Sequence, residues 1–294
     1  MKTSFGDNVK VHYVYDGDAD TLALDLANVK YRLFSVYKFI KSKDPNSDFR
    51  LKNHKWLFES TQNCRHIIQD SGLFTMMFGS DRHKKVSHKD LENWQEKMIQ
   101  FTRQNNLNVT VVECDCQKLA GVDLAWELRR KLKKQLPNNR ILNVFHLEDG
   151  KQELDRLIDF SEYLAIPVPE LRIHRKGTSK KEVHTLAKYI KMRKPSIDIH
   201  LLGCTETNML KQNRFCSSSD SSSWLSMVRY GYIEGRHSNS IKKERFDEAI
   251  KEVECEIDKK GLLFGGDMKK WIAMNMISAR RTRDKYEQAA GDQS

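Results

Sequence analysis

From about residue 30 onward, short apolar runs rich in Val, Ile and Phe alternate with longer segments whose apolar residues recur at three- and four-residue intervals. The short runs have the length of buried strands and the longer ones the period of amphipathic helices, an order that builds βα units on a parallel sheet. The spacing predicts strands over 31–37, 64–69, 109–114, 141–147, 163–167, 197–202 and 214–218, with a fainter eighth over 230–234. Eight such strands close a (β/α)8 TIM barrel, so the expected class is α/β. Helices are predicted over 89–106, 122–135, 151–162, 179–191 and 206–213, and Leu124, Leu128 and Leu132 form one stripe of the second. Further on, 241–286 reads as two long helices separated by Gly261, Gly265 and Gly266, with 288–294 fraying. The expected organisation is a single domain over 1–294, with the barrel at about 30–240 and a C-terminal helical segment at about 241–287.

Composition narrows the partners. With 39% apolar and 31% charged residues the chain belongs among packed globules, and 294 residues suffice for one large barrel. Lys and Arg number 51 against 40 acidic residues, a net charge of +11. That balance suits a polyanionic partner, nucleic acid first, with a generally solvated basic surface as the plain alternative. Six irregularly spaced cysteines give no disulfide framework, which fits a reducing cytoplasm. The polar N-terminus carries no apolar signal core and no window approaches the ~18 apolar residues of a membrane span, so no membrane partner is expected. Nothing in the sequence specifies an oligomer.

In a parallel α/β architecture, functional side chains gather at the carboxyl ends of the strands. That rule selects Asp70, Asp115, His146 with Glu148, Gly203 and Asp220. Any one of these could merely cap the next helix; several on one rim form a candidate site.

The segment Ile67-Ile68-Gln69-Asp70-Ser71-Gly72-Leu73-Phe74 resembles the D-S-G-G-F-Q motif of the tRNA-guanine transglycosylase superfamily, matching at Asp70, Ser71, Gly72 and Phe74 and departing at Leu73 and Thr75. A second stretch, His200-Leu201-Leu202-Gly203-Cys204-Thr205, resembles the family's sixth strand, which ends in Gly before a polar turn. Downstream, Asp220-Ser221-Ser222-Ser223-Trp224 is similar to the family's nucleophile segment, in the form found in the archaeal-type and DNA-modifying branches. The resemblance covers roughly 30–235 and is closest to the phage-type branch that inserts 7-deazaguanines into DNA.

The resemblance implies an enzyme, a pentosyltransferase that exchanges guanine in a nucleic acid for a free 7-deazaguanine base such as 7-cyano-7-deazaguanine. It implies Asp220 as the nucleophile and Asp70 as general acid and base. Ser71, Gly72, Phe74, Asp115, His146 and Gly203 are the implied base contacts. His146 stands where the family usually has Gln, and Pro167 stands in place of a glycine pair, removing one N–H donor. The family's tRNA enzymes bind structural zinc through C-x-C-x-x-C and a later His; only Cys255 lies in the matching region and His237 precedes it, so no metal or cofactor is expected. Cys114 and Cys116 bracket Asp115 on the opposite face of a strand and are not read as ligands. Without these zinc parts or an RNA-binding addition, DNA is favoured over tRNA as partner, in the cytoplasm of a host if the chain is phage-encoded. Arg82, Lys84 and Lys85, just after the Asp70 loop, and Arg129, Arg130, Lys133, Arg280 and Arg281 on helices are the candidate phosphate contacts, with solvated faces as the alternative. Trp224 could stack a base or belong to the core. Two other readings stay open: a basic barrel that binds nucleic acid without catalysis, and a barrel whose Gly203 and serine run 217–223 cradle the phosphate of a small substrate.

Overall fold

In the computed structural model, the described residues are 8–41, 44, 46–50, 55–73, 86–175, 177–204, 206–225, 243–262 and 264–290. They form a closed eight-stranded parallel barrel with helices between the strands and two further helices at the C-terminus, the (β/α)8 fold expected. The strands are β1 Lys10–Val14, β2 Tyr31–Ser35, β3 His66–Asp70, β4 Thr110–Val112, β5 Ile141–Val144, β6 Tyr163–Pro167, β7 Asp198–Leu202 and β8 Ser218–Ser221.

The closing strand differs from the expectation. Residues 230–234 lie outside the described residues, and the ring closes through β1, which pairs with β2 on one side and with β8 on the other, His12 opposite Asp220. The barrel therefore begins at Lys10 rather than near residue 30. The β8 strand also falls later than the predicted 214–218, which brings Asp220 into the strand itself.

Two kinds of core hold this ring. Outside the strands, Val9, Val11, Tyr13 and Tyr15 belong to the large cluster that also contains the inner faces of the helices. Inside, Leu33, Ile68, Val112, Leu142 and Val144 form a small apolar cluster with Tyr163. The rest of the lumen is polar. His12 Nε2 and His66 Nδ1 share a hydrogen bond at 2.7 Å, His66 Nε2 meets Thr110 Oγ1 at 2.8 Å, and His200 Nδ1 meets Ser218 Oγ at 2.6 Å. Burial, joined by the nearby Arg140 and His200, pushes His66 down to about 3, and burial holds His12 well below its ordinary value. Neutral imidazoles suit this place, because each ring can donate at one nitrogen and accept at the other.

The helices Lys243–Lys259 and Gly266–Ala290 pack on Asp18–Leu26 through a separate cluster that includes Ala23, Ile257, Ile272 and Met276. The last helix braces β8 from outside: Tyr286 Oη lies 3.2 Å from Ser221 Oγ and 3.1 Å from Ser223 Oγ. Trp224 is fully buried and donates from Nε1 to the Val14 carbonyl at 2.7 Å, which makes it a core residue. Among the described residues no helix is long and apolar enough to cross a membrane.

Candidate active site

The carboxyl ends of the strands bring Asp70, Asp115 and Asp220 to one rim. Asp70 ends β3 and Asp220 lies in β8, with β1 and β2 between them in the ring. Burial raises the Asp70 carboxyl to about 6, and the charges of Asp115 and Asp220 push in the same direction against the Gly72 N–H, which donates to Oδ2 at 3.0 Å. Both other carboxylates are thus close enough to act on Asp70 electrostatically.

Local backbone geometry builds each position. Gly72 turns the chain after β3 at φ 72°, and a Cβ there would sit 2.7 Å from the Tyr37 Cβ. Only glycine fits that turn without moving its neighbours. Ser71 is buried; its hydroxyl accepts from the Leu73 N–H at 3.4 Å and its carbonyl accepts from the Trp94 indole at 2.9 Å, contacts that shape the turn after β3. Gly203, at φ 61°, would push a Cβ to 2.8 Å from Pro169, and its N–H donates to Asp220 Oδ1 at 2.6 Å. His200 Nε2 reaches the same Oδ1 at 3.1 Å. Two contacts on one oxygen fix the Asp220 carboxyl, while Oδ2 has no hydrogen-bond partner among the described residues.

Beside this pair lies an ionic cluster. His146 is buried; its Nδ1 is 2.8 Å from Glu170 Oε2, and its Nε2, 3.7 Å from Asp115 Oδ2, has no hydrogen-bond partner among the described residues. Burial alone would lower the imidazole, but the carboxylates of Asp115 and Glu170 outweigh it and carry His146 up to about 9. Glu170 goes the other way. Burial would raise it, yet His146, the Leu147 N–H at 2.9 Å and Lys118 at 3.1 Å bring it down to about 2. His146 is therefore an imidazolium near neutral pH, with a cationic N–H beside Asp115.

This pair gives a pH window. His146 has a folded value above its ordinary 6.5, so its contribution is complete below about 6.5 and is lost as pH rises through about 9. Glu170 has a folded value below its ordinary 4.5, so its contribution is complete above about 4.5 and is lost as pH falls through about 2. The stability difference between the parent and His146→Gln is expected to be largest between about pH 4.5 and 6.5 and to shrink toward pH 9. Thermal melts across that range check it; a difference unchanged from pH 6 to 10 means that the folded imidazole is neutral.

His146, Glu148 and Glu170 offer ligand atoms within 4.8 Å of one another, the one grouping of this kind among the described residues. A cation is already there: the Lys118 ammonium lies 3.2 Å from Glu148 and 3.1 Å from Glu170. The cluster as built is complementary to Lys118 rather than to a metal ion. Cys255, the lone cysteine in the region of the family's zinc ligands, is exposed on its helix and belongs to no such group, and His237 lies outside the described residues.

The predicted phosphate contacts separate. Phe74, Arg82, Lys84 and Lys85 lie outside the described residues. Arg129 points inward and is 2% exposed, its guanidinium taken by Glu113 in a bidentate pair, which corrects its assignment to a nucleic-acid surface. Arg130 is exposed, but it sits in the C-terminal half of helix Gln117–Gln135, which runs back toward the amino ends of the strands. Lys133 lies farther along the same helix, with its ammonium 3.2 Å from the Phe160 carbonyl at the end of helix Gly150–Phe160. Both therefore face away from the rim. Arg280 is held by Glu256 at 2.9 Å and by the Leu26 carbonyl at 3.4 Å, and the exposed Arg281 follows it on the outer helix. Glu170 and Lys118 were not among the predicted site residues.

No family model matches the chain, and no curated protein matches it.

Proposed function

We propose that the chain is a base-exchanging transglycosylase that replaces guanine in a nucleic acid strand, DNA in preference to tRNA, by a free 7-deazaguanine base. The observation that carries this reading is the convergence on one rim of a carboxyl group raised to about 6 and a second carboxyl fixed through one oxygen by Gly203 and His200. Exchange with retention at C1′ needs two such groups, one to attack the sugar and one to move protons. The sequence around Asp70 and Asp220 resembles the family that does this, and the Asp220-Ser221-Ser222-Ser223-Trp224 form supports DNA.

In this mechanism Asp220 Oδ2 attacks C1′ as the bond from C1′ to the guanine nitrogen breaks. The bonding electrons leave with guanine, Asp70 donates a proton to it, and a glycosyl ester of Asp220 remains. The incoming base then gives its N–H proton to the Asp70 carboxylate, attacks C1′ and displaces Asp220. Asp115 accepts from the N–H edge of the base, and the cationic Nε2–H of His146 donates to its carbonyl oxygen, a donor and acceptor side by side. The reacting nucleotide leaves the base stack to enter the rim, at a cost of a few kcal/mol.

The first half-reaction needs Asp70 protonated. Formation of the covalent adduct is therefore expected to slow about tenfold per pH unit above about 6, and release by incoming base to show the opposite dependence. Single-turnover trapping of a protein–DNA adduct resistant to denaturation, followed from pH 5 to 8, checks both limbs. Adduct formation that does not respond to pH across this range removes Asp70 from the role.

A further inference from the structure

A cavity of about 270 Å³ opens at the amino ends of β1, β2 and β3, the end of the barrel opposite the rim. Lys10 starts β1, Lys30 immediately precedes β2, Arg65 immediately precedes β3, and Arg283 reaches in from the last helix. Against these four cations, Glu287 is the one carboxylate of the lining among the described residues. Arg283 is committed: its guanidinium lies on the Ala27 carbonyl at 2.5 Å and on Asp284 at 2.8 Å. The side chains of Lys30 and Arg65 make no ion pair with any described residue.

A second observation marks the same place. The Tyr13 hydroxyl is buried and has no hydrogen-bond partner among the described residues, in a residue only 3% exposed, and Tyr13 lines the cavity beside Tyr286, Arg283 and Glu287. Buried hydroxyls are almost always bonded, so an unpaired one in a residue that lines a cationic cavity leaves a donor for an acceptor bound there. Asn28, held in the left-handed region at φ 57°, adds a side-chain amide to the lining.

We propose that this cavity binds the phosphate group of a small phosphomonoester. A phosphomonoester dianion matches in charge the two cations, Lys30 and Arg65, that pair with no described residue, and its three terminal oxygens offer one more acceptor than a carboxylate for the donors of this lining. The volume holds one phosphate with a small body attached rather than a strand. A strand engaged at the rim lies at the other end of the barrel, so the site is independent of the base-exchange reading.

Inorganic phosphate, titrated calorimetrically into the full chain at low ionic strength, is the probe. Saturable binding is expected, weakened about tenfold or more in Lys30→Gln/Arg65→Gln and several-fold in Tyr13→Phe, which deletes only the unpaired hydroxyl. Far-ultraviolet circular dichroism and melting curves establish that both variants fold. No saturable binding in the parent, or equal binding in the parent and the double variant, overturns the proposal. A single-stranded oligonucleotide separates the two sources of phosphate. If phosphate still binds when the oligonucleotide is saturating, the site takes a small ligand; if the oligonucleotide displaces phosphate and loses affinity in the same variants, the site grips a strand backbone and the proposal of a small phosphomonoester fails.

Discussion

Asp220→Asn is expected to slow base exchange by about 10⁴-fold or more and to abolish the trapped adduct, because removing a nucleophile leaves only binding and positioning. The substitution is chosen to preserve structure. An amide oxygen can still accept from the Gly203 N–H, which lies 2.6 Å from Oδ1, so the turn after β7 keeps its partner. What disappears is the anionic Oδ2, the atom with no hydrogen-bond partner among the described residues. Asp220→Ala is the harsher version: it also strands the Gly203 N–H and the buried His200, so part of any loss in that variant comes from structure. The measurement is incorporation of a labelled 7-deazaguanine base into guanine-containing DNA, together with the adduct on a denaturing gel. Exchange by Asp220→Asn at the parent rate removes the nucleophile from this residue.

The contrast with Asp70 sharpens the assignment. Asp70→Asn keeps a hydrogen-bonding group but cannot transfer a proton, so both half-reactions slow while Asp220 stays intact. Loss of turnover with slow but detectable adduct at Asp70, against no adduct at Asp220, separates proton transfer from nucleophilic attack.

The rim was legible in the sequence because its residues follow strands that are apolar on both faces. Ile67 and Ile68, Val111 and Val112, and Leu164 to Ile166 are continuous apolar runs, the signature of strands covered on both sides. Asp70, Asp115 and His146 stand at the ends of such runs. The strands β1 and β8 were not legible for the opposite reason. Their lumen positions carry His12, Ser218 and Asp220, polar groups that meet other polar groups there, His12 the Ser219 carbonyl and Ser218 and Asp220 the His200 ring, rather than hydrocarbons. In β1 and the residues flanking it, the outward Val9, Val11, Tyr13 and Tyr15 alternate with polar ones, a pattern that resembles a half-solvated strand. In β8 every residue is Ser or Asp, so hydrophobicity gives no strand signal. The lumen network replaces apolar packing with hydrogen bonds that only the closed ring brings together.

Glu170 escaped because it stands three residues beyond the end of β6, inside the helix that follows, yet a signal existed. Pro169 stands at the second position of helix Val168–His174 and Glu170 follows in its first turn, where an acidic residue favours the helix start. The basic helix misled in another way. Arg129, Arg130, Lys133 and Lys134 are neighbours along the chain, but a helix advances about 100° per residue and spreads them around its surface. Ala125, Arg129 and Leu132 share the buried face, at intervals of four and three, while Arg130, Lys133 and Lys134 look outward. A stripe drawn through the leucines alone leaves Arg129 on the wrong side.

That inward arginine gives the largest expected effect on stability. Arg129 donates to both Glu113 oxygens, at 2.7 and 2.8 Å, with the two side chains 2% and 1% exposed. Glu113 also accepts from the Val144 N–H at 3.0 Å and the Asn143 amide at 2.5 Å, so the pair ties helix Gln117–Gln135 to both β4 and β5 below the rim. Arg129→Met fills the same space with hydrocarbon but leaves the Glu113 carboxylate buried and without its counter-charge, which is expected to cost about 3–5 kcal/mol. Adding Glu113→Gln should recover much of that loss, because a neutral amide can still meet the Val144 N–H while carrying no buried charge. Denaturant melts of the parent, both single variants and the double variant measure the coupling directly. The same variants separate structure from nucleic-acid binding: at temperatures where Arg129→Met stays folded, its affinity for DNA and the salt dependence of that affinity should equal those of the parent, since an arginine committed to Glu113 neutralises no phosphate. A parent-like melting midpoint in Arg129→Met, or a salt slope lowered by about one phosphate contact, reverses the assignment and returns Arg129 to the nucleic-acid surface.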